Sequence, residues 1–101
     1  MLDVGRPEVR LLAIAPHGRL LSVRSAPNEV RGGDPYPSCD TEHIWRWMSA
    51  ALADFGERFA IRAIVPTSYG STAALIDPAE LVLPILDYAA DPPPEIADAY
   101  V

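Results

Sequence analysis

The sequence of 101 residues contains no lysine, a single cysteine at position 39 and no long hydrophobic run. One cysteine excludes an intrachain disulfide and a cysteine metal cluster. The longest apolar runs, such as residues 11–15, are far too short to cross a bilayer, and the N-terminus lacks a basic segment followed by a long apolar core. We therefore expect a cytoplasmic protein that does not interact with membranes.

Basic charge is also scarce, since eight arginines stand against 14 acidic residues and the formal net charge is −6. The arginines are scattered, so the sequence has no basic stripe of the kind that binds a nucleic-acid backbone. Half of the residues are hydrophobic and 22% are charged, as in ordinary globular proteins. The composition predicts one small domain over residues 1–101 that binds no nucleic acid.

Three strands are predicted in the first quarter of the sequence. Residues 2–4 form a short strand, and the nearly continuous apolar run at residues 9–15 is typical of a strand buried on both faces. The Pro-His-Gly sequence at residues 16–18 predicts a tight turn into a third strand at residues 20–25. The three strands are expected to form a meander.

A long helix is predicted after a loop. Residues 26–39 are rich in Pro, Asn, Gly, Asp and Ser, which favour a loop, and apolar residues then recur at helical spacing over residues 41–58. Asp40 or Thr41 can cap this helix, and Glu42 lies in the first turn, where a negative charge opposes the helix dipole. The helix is the most clearly marked element of the sequence.

Shorter elements follow the helix. Residues 61–67 predict a fourth strand, and residues 71–76 and 81–86 predict two strands of a short hairpin. After three prolines, residues 95–100 predict a helix with Pro94 at its first position. The predicted fold class is a mixed α/β chain: a three-stranded meander, then a helix, then a strand plus a short hairpin.

Six short motifs occur along the chain in the order DVG, HGRLL, DTEHIW, AIVPTSYG, AALID and LPILDY. In this order and spacing they resemble the beginning of the FGGY carbohydrate kinases, which belong to the superfamily of actin, hexokinases and the heat-shock ATPases. The resemblance runs through all 101 residues and implies an incomplete ribonuclease-H-like half domain. Members of the family phosphorylate a sugar or polyol hydroxyl with ATP and Mg²⁺, so residues 1–101 resemble a partial N-terminal kinase domain.

The resemblance also implies candidate site residues. Asp3 and Gly5 match a turn that holds hydrated magnesium and lets backbone amides approach a phosphate. A second turn, with tyrosine where histidine is common, and a later Asp-Tyr pair match segments on the sugar side of the family's cleft. Tyrosine can hydrogen-bond a hydroxyl and stack on a sugar face. The candidate sugar-binding residues are Thr67, Tyr69, Gly70, Asp87 and Tyr88.

The phosphate-binding turn departs from the family pattern. Pro7 stands where relatives have a hydroxyl residue, and it offers neither a hydroxyl nor an N–H. Glu8 brings negative charge towards a polyanion. No residue here matches the family's catalytic base or its second domain, so we assign no catalytic residue and no metal ligand. We expect the chain by itself to bind neither ATP nor Mg²⁺.

Three functions remain open from the sequence. The first is the N-terminal portion of an ATP-dependent sugar kinase, inactive as an isolated chain. The second is a non-catalytic sugar-binding or protein-interaction module derived from such a kinase, and the third is a small α+β domain with a fortuitous likeness. Because few apolar residues precede Asp3 and the half domain is incomplete, apolar faces stay uncovered. We therefore expect self-association or a complementing chain that carries the rest of the kinase.

Overall fold

The structure is a computed structural model that describes residues 1–99. It contains a four-stranded mixed sheet, a second sheet of two short strands, one long helix and one short helix. The elements are β1 (Leu2–Val4), β2 (Glu8–Ile14), β3 (Leu20–Pro27), β4 (Val30–Arg31), β5 (Ser38–Cys39), α1 (Thr41–Arg58), β6 (Pro66–Ser68) and α2 (Pro94–Ala99).

The four-stranded sheet has the order β3-β2-β1-β6. β1, β2 and β3 pair antiparallel, so the predicted meander is confirmed. After β5 the chain forms α1 and then β6, which pairs parallel with β1. In this pair Leu2 lies opposite Pro66 and Val4 lies opposite Ser68. The result is the predicted mixed α/β sheet in which a helix carries the chain to the next strand.

The hydrophobic core lies between α1 and one face of β1 and β2. Leu2, Leu11, Ala51 and Phe55 are buried and pack together. β2 alternates in its first half, with Val9 and Leu11 buried and the residues between and before them exposed. The prediction that this strand is buried on both faces was therefore wrong, because the helix covers only one face of the sheet.

The fourth strand is shorter than predicted. β6 covers Pro66–Ser68 instead of residues 61–67, and residues 60–65 form no regular element. Among residues 1–99, β6 pairs only with β1. Because β1 has three residues, the parallel ladder is limited to three residue pairs. The backbone N–H of Leu2 adds one more hydrogen bond, to the carbonyl of Val65 at 2.8 Å.

The region after β6 also differs from the prediction. No strands form at residues 71–76 and 81–86; a single bridge joins Ile76 to Leu81 across a turn. In this turn the Asp77 carboxylate accepts the backbone N–H groups of residues 79 and 80 at 2.8 Å each. Conversely, the predicted loop at residues 26–39 contains β4 and β5. β4 and β5 pair over only two residues, and β5 also bridges Leu86, a long-range contact that local sequence does not encode.

Two helix predictions hold. α1 spans Thr41–Arg58 as predicted, and α2 starts at Pro94. Residue 100 of the second predicted helix lies outside the described residues. None of the helices within residues 1–99 combines the length and the hydropathy needed to cross a bilayer.

Asp40 caps the N-terminus of α1. Its Oδ1 accepts the backbone N–H of His43 at 3.0 Å, and its Oδ2 contacts Nε of Arg31 at 2.9 Å. The hydrogen bond from the His43 backbone is the main cause that lowers the pKa of Asp40 below its ordinary value of 3.8. The cap is therefore strongest while the carboxylate is ionised.

We predict that the stability difference between the wild type and Asp40→Asn depends on pH, since asparagine still caps a helix but does not titrate. A depressed pKa in the folded state stabilises the chain above the ordinary pKa, and this contribution is lost as pH falls through the folded pKa. The wild type should be more stable than the variant at about pH 6, and the difference should be smaller at about pH 2.5, because protonation of the folded-state carboxylate removes this contribution.

Urea unfolding at both pH values measures this difference. Asp91→Asn, at an exposed position near the C-terminus, is the matched control and should leave stability unchanged within about 0.5 kcal/mol. A stability difference for Asp40→Asn that is the same at both pH values would contradict the assignment of the cap.

Candidate functional site

Asp3 is held by a neighbouring strand. In the β1–β2 pair Asp3 lies opposite Arg10, and its Oδ2 accepts hydrogen bonds from Nε of Arg10 at 3.0 Å and from Nη2 of the same guanidinium. The hydrogen bond to Asp3 raises the pKa of Arg10 above its ordinary high value. This cross-strand pair neutralises the carboxylate where it emerges from the sheet.

The turn after Asp3 is a poor fit for a magnesium–nucleotide group. One carboxylate oxygen of Asp3 already binds a guanidinium, which competes with a divalent cation for the same lone pairs. Pro7 supplies no N–H or hydroxyl to a phosphate. Glu8 is half exposed beside Arg10, at 3.9 Å from its Nε, and it adds negative charge where a polyphosphate would lie.

A pocket of about 640 Å³ opens beside this turn. Its walls come from the β1–β2 turn, the segment after β3, the segment after β6 and the end of the LPILDY motif. The wall residues that matter for chemistry are Arg6, Asn28, Tyr69, Gly70, Ser71 and Tyr88. The pocket thus combines two aromatic faces with several hydrogen-bonding groups, which is the usual composition of a small-molecule site.

Arg6 connects the turn to the LPILDY segment. Its Nη2 donates to Oδ2 of Asp87 at 3.0 Å, and its guanidinium carbon lies 5.3 Å from the centre of the Tyr88 ring. The Asp87 side chain is only 8% exposed, against 33% for Arg6. The ion pair therefore runs from a buried carboxylate to a guanidinium at the pocket wall.

The backbone fixes both partners of this pair. Asn28 holds the turn through its side-chain amide, which donates to the Gly5 carbonyl at 2.8 Å, and through its backbone N–H, which donates to the Pro7 carbonyl at 2.8 Å. On the other side, the backbone N–H of Asp87 donates to the carbonyl of Pro37 at 2.9 Å. Both ends of the ion pair are positioned before any ligand arrives.

Tyr69 forms the opposite side of the pocket. Its ring lies 5.9 Å from that of Tyr88, centre to centre, at an angle of 54°. Its hydroxyl is 3.9 Å from Sγ of Cys39, and burial, followed by this contact, raises the pKa of Tyr69. The phenol stays protonated at neutral pH and can both donate and accept a hydrogen bond.

A smaller, more apolar pocket of about 330 Å³ lies on the other side of Tyr69. Ile44, Trp45 and Met48 of α1 line it together with Cys39. Trp45 is 67% exposed. Tyr69 and Asn28 line both this apolar recess and the pocket that contains Arg6.

The structure brings some of the predicted site residues together and leaves others apart. Tyr69, Gly70 and Tyr88 line the larger pocket, and Asp87 reaches it only through Arg6. Thr67 lies on β6 directly opposite Asp3 in the parallel pair. Asp3, Gly5 and Thr67 are not wall residues of either pocket.

Sequence reasoning missed three of these wall residues, Arg6, Asn28 and Ser71. The contact between Arg6 and Asp87 spans 81 positions, and the bond from Asn28 to Gly5 spans 23. The periodicity of apolar residues in the local sequence does not reveal contacts between residues so far apart in the chain. The pairing of Arg10 with Asp3 could have been predicted, because opposite charges often face each other across a short antiparallel hairpin.

No protein-family model matches the chain, and no curated protein sequence matches it. Among solved structures, the chain is similar to a carbohydrate kinase from Novosphingobium aromaticivorans, with a TM-score of 0.89 and 23% sequence identity. The similarity covers 98% of this chain and 21% of that chain. The chain therefore has the fold of about a fifth of that kinase.

We predict that Asn28→Ala loosens the turn that carries Arg6. The variant loses the side-chain hydrogen bond to the Gly5 carbonyl, which should lower the free energy of unfolding by about 1 kcal/mol. Hydrogen exchange at the backbone amide of residue 28, which donates to Pro7, should become faster.

Urea unfolding and hydrogen exchange followed by NMR measure the two effects. Ser25→Ala, an exposed change on the preceding strand β3, controls for side-chain truncation and should alter stability by less than about 0.5 kcal/mol. Unchanged stability and exchange in Asn28→Ala would show that the turn is held by other contacts.

Proposed function

We propose that this chain is the N-terminal portion of an ATP-dependent carbohydrate kinase of the FGGY type, with a ribonuclease-H-like half domain, acting in the cytoplasm. The observation that carries the proposal is the likeness of 98% of the chain to part of a carbohydrate kinase. The ordered motifs from DVG to LPILDY support the same assignment independently. A chance likeness of a small α+β domain does not explain both.

The reaction of such a kinase is phosphoryl transfer to a sugar or polyol hydroxyl, which depends on positioning and on neutralising charge at the phosphate oxygens. In the turn at residues 5–8, the side chains of Pro7 and Glu8 offer a phosphate no donor, and the guanidinium of Arg6 is already paired with Asp87. Asp3 is bound by Arg10. We therefore propose that these 101 residues alone bind neither ATP nor Mg²⁺ and do not catalyse transfer. The catalytic base belongs to the part of the kinase that has no counterpart here.

The sugar side of the site has better support. The pocket volume of about 640 Å³ lies within the usual range for small-molecule sites. Tyr69 and Tyr88 offer ring faces and hydroxyls, which suit the apolar faces and hydroxyl edges of a sugar. Thr67 contributes to neither pocket, so we propose that Tyr69, Gly70 and Tyr88 contact the sugar.

A second candidate function is a sugar-binding module without catalysis. The observation that favours it is the contrast between the two halves of the site. In the turn at residues 5–8 the one guanidinium, that of Arg6, is already paired with Asp87, while the pocket beside the turn is lined by aromatic and hydrogen-bonding side chains. Such a module keeps recognition of the sugar and lacks transfer.

The exposed surface supports a complementing partner. The accessible surface is 7493 Å², while a compact monomer of 11.0 kDa exposes roughly 5,600 Å². The radius of gyration is 16.6 Å, against about 13 Å for a compact chain of this length. The excess area is larger than one partner's share of a standard interface, roughly 800 Å².

Much of the excess is apolar. Large exposed side chains cluster in the region after α1, where more than half of the surface of several of them is accessible. They include Ile64, Val65, Leu75, Ile76, Val82 and Tyr88. We propose that the remaining part of the kinase domain covers this surface.

We predict that sugars stabilise the chain and that Mg²⁺-ATP does not. At about ten times its Kd, a ligand raises the free energy of unfolding by about 1.4 kcal/mol, which raises the Tm by roughly 6 °C or more in a domain of this size. A thermal-shift titration with D-xylose, L-rhamnose, xylitol and Mg²⁺-ATP measures both effects.

Tyr88→Phe should reduce the sugar-dependent shift, because the phenol hydroxyl is lost from the pocket wall. Ser25→Ala is the control: it removes an exposed hydroxyl on β3, and Ser25 lines neither pocket, so its sugar-dependent shift should equal that of the wild type. No shift with any sugar would contradict the sugar site, and a shift with Mg²⁺-ATP would contradict the assignment of the turn at residues 5–8.

We also predict that the isolated chain self-associates through its exposed apolar surface. Sedimentation equilibrium from about 5 to about 200 μM should show an average mass that rises with concentration, as expected for a hydrophobic patch of this size. Leu75→Glu combined with Ile76→Glu, two exposed positions, should shift the distribution towards monomer. A monomer that unfolds cooperatively at every concentration would contradict this prediction.

A further inference from the structure

We infer that Arg6 is the residue that recognises the ligand in the larger pocket, that Asp87 positions it from behind, and that the ligand is a neutral polyhydroxylated molecule. The inference rests on the proposed sugar-binding function and deepens it. It changes the role of Asp87 from a direct sugar contact to a buried support for a residue that the family motifs do not mark.

The burial of the two partners separates their roles. The Asp87 side chain is 8% exposed and that of Arg6 is 33% exposed. Arg6 lines the pocket, whereas Asp87 is a wall residue of neither pocket. A ligand in the pocket therefore meets the guanidinium first, with the carboxylate behind it.

The guanidinium keeps unused donors. Arginine has five N–H donors in a planar fork, and within residues 1–99 Arg6 donates a hydrogen bond through Nη2 to Asp87 alone. The remaining N–H groups can donate in pairs to adjacent oxygens, which is the pattern that two neighbouring hydroxyls present. The second Asp87 oxygen, Oδ1, is buried without a hydrogen-bond partner among the described residues, so the carboxylate depends on Arg6 for its neutralisation.

The orientation of Arg6 is set from three directions. Asp87 holds Nη2 at 3.0 Å, the Tyr88 ring lies 5.3 Å from the guanidinium carbon, and Asn28 holds the backbone on both sides of Arg6. A guanidinium within about 6 Å of an aromatic ring centre is attracted to its face. This arrangement lowers the entropy cost of binding, because the fork does not have to be ordered by the ligand.

Charge selects the class of ligand. The buried Asp87 carboxylate balances the positive charge of Arg6 at a distance of 3.0 Å, so the pair presents hydrogen-bond donors without a net charge. A sugar acid or a sugar phosphate would bring a second anion to a guanidinium that is already paired. A neutral sugar or polyol uses the donors without this penalty.

The test is a titration of the full chain by calorimetry and by two-dimensional NMR with D-xylose, L-rhamnose and xylitol, and with D-xylonate and L-rhamnonate as the acidic counterparts. In Arg6→Gln the Kd for the neutral ligand should rise about tenfold or more, the usual size of a lost charge-assisted hydrogen bond. Arg6→Lys keeps the charge next to Asp87 and loses the fork, so it should also bind at least several-fold more weakly while it stays folded.

Arg24→Gln is the matched control, because Arg24 forms an ion pair of the same length with Asp54, 3.0 Å, on the exposed side of α1. It should bind the neutral ligand as the wild type does. Asp87→Asn should weaken binding and broaden the side-chain NMR signals of Arg6, since the guanidinium loses its anchor.

Each outcome decides the inference. Wild-type affinity in both Arg6→Lys and Arg6→Gln overturns it and leaves the proposed sugar site intact. Binding of the aldonates about tenfold tighter than that of the neutral sugars overturns the assigned ligand class. If none of the neutral ligands binds the wild type, both the inference and the proposed sugar site fail.

Discussion

The pairing of the three residues of β1 with strands on both sides determines how this chain is arranged. Leu2–Val4 pairs antiparallel with β2 and parallel with β6. Because β1 and β6 run in the same direction, the segments that follow them emerge at the same edge of the sheet, which is where ligands bind in open α/β folds. The turn with Arg6 follows β1 and Tyr69 follows β6, so the pocket arises from the topology before any side chain is considered.

The elements that sequence predicted well are those that local chemistry specifies. α1 was predicted with its observed bounds because its apolar period, its cap at Asp40 and its length all agree. The strands of the meander were predicted from turns and short apolar runs. β5 bridges Leu86 and β6 pairs with β1, both far along the chain, whereas β4 pairs with β5 over only two residues across a short loop. The predicted hairpin at residues 71–86 had a correct turn at Asp77 without enough pairing to form strands.

The residues of the candidate site also fall into two groups: those that a local motif predicted and those that only long-range contacts bring to the pocket. Tyr69, Gly70 and Tyr88 were predicted by motif and line one pocket, although Tyr88 lies in a later segment of the sequence than the adjacent Tyr69 and Gly70. Arg6 and Asn28 were not predicted, since nothing local distinguishes a turn arginine that forms a buried ion pair from one that is solvated. The departure of the turn from the phosphate-binding pattern and the presence of Arg6 occur within the same few residues. Pro7 and Glu8, which we propose weaken nucleotide binding, directly follow Arg6, which lines the neighbouring pocket.

The pocket depends on segments with little regular structure, and this affects its affinity. Residues 84–88 are fixed mainly by the hydrogen bonds from Cys39 to Ile85 and from Asp87 to Pro37, 2.9 Å each, and by the Tyr36 hydroxyl on Pro84. Segments with few buried apolar contacts open at a fraction of the global unfolding free energy. A ligand that needs Asp87 and Tyr88 in place binds only those molecules in which residues 84–88 are held by these hydrogen bonds. Its apparent affinity therefore falls as the population of such molecules falls. A partner that covers the exposed apolar residues of the same region would raise this population, and with it the sugar affinity, without touching the ligand.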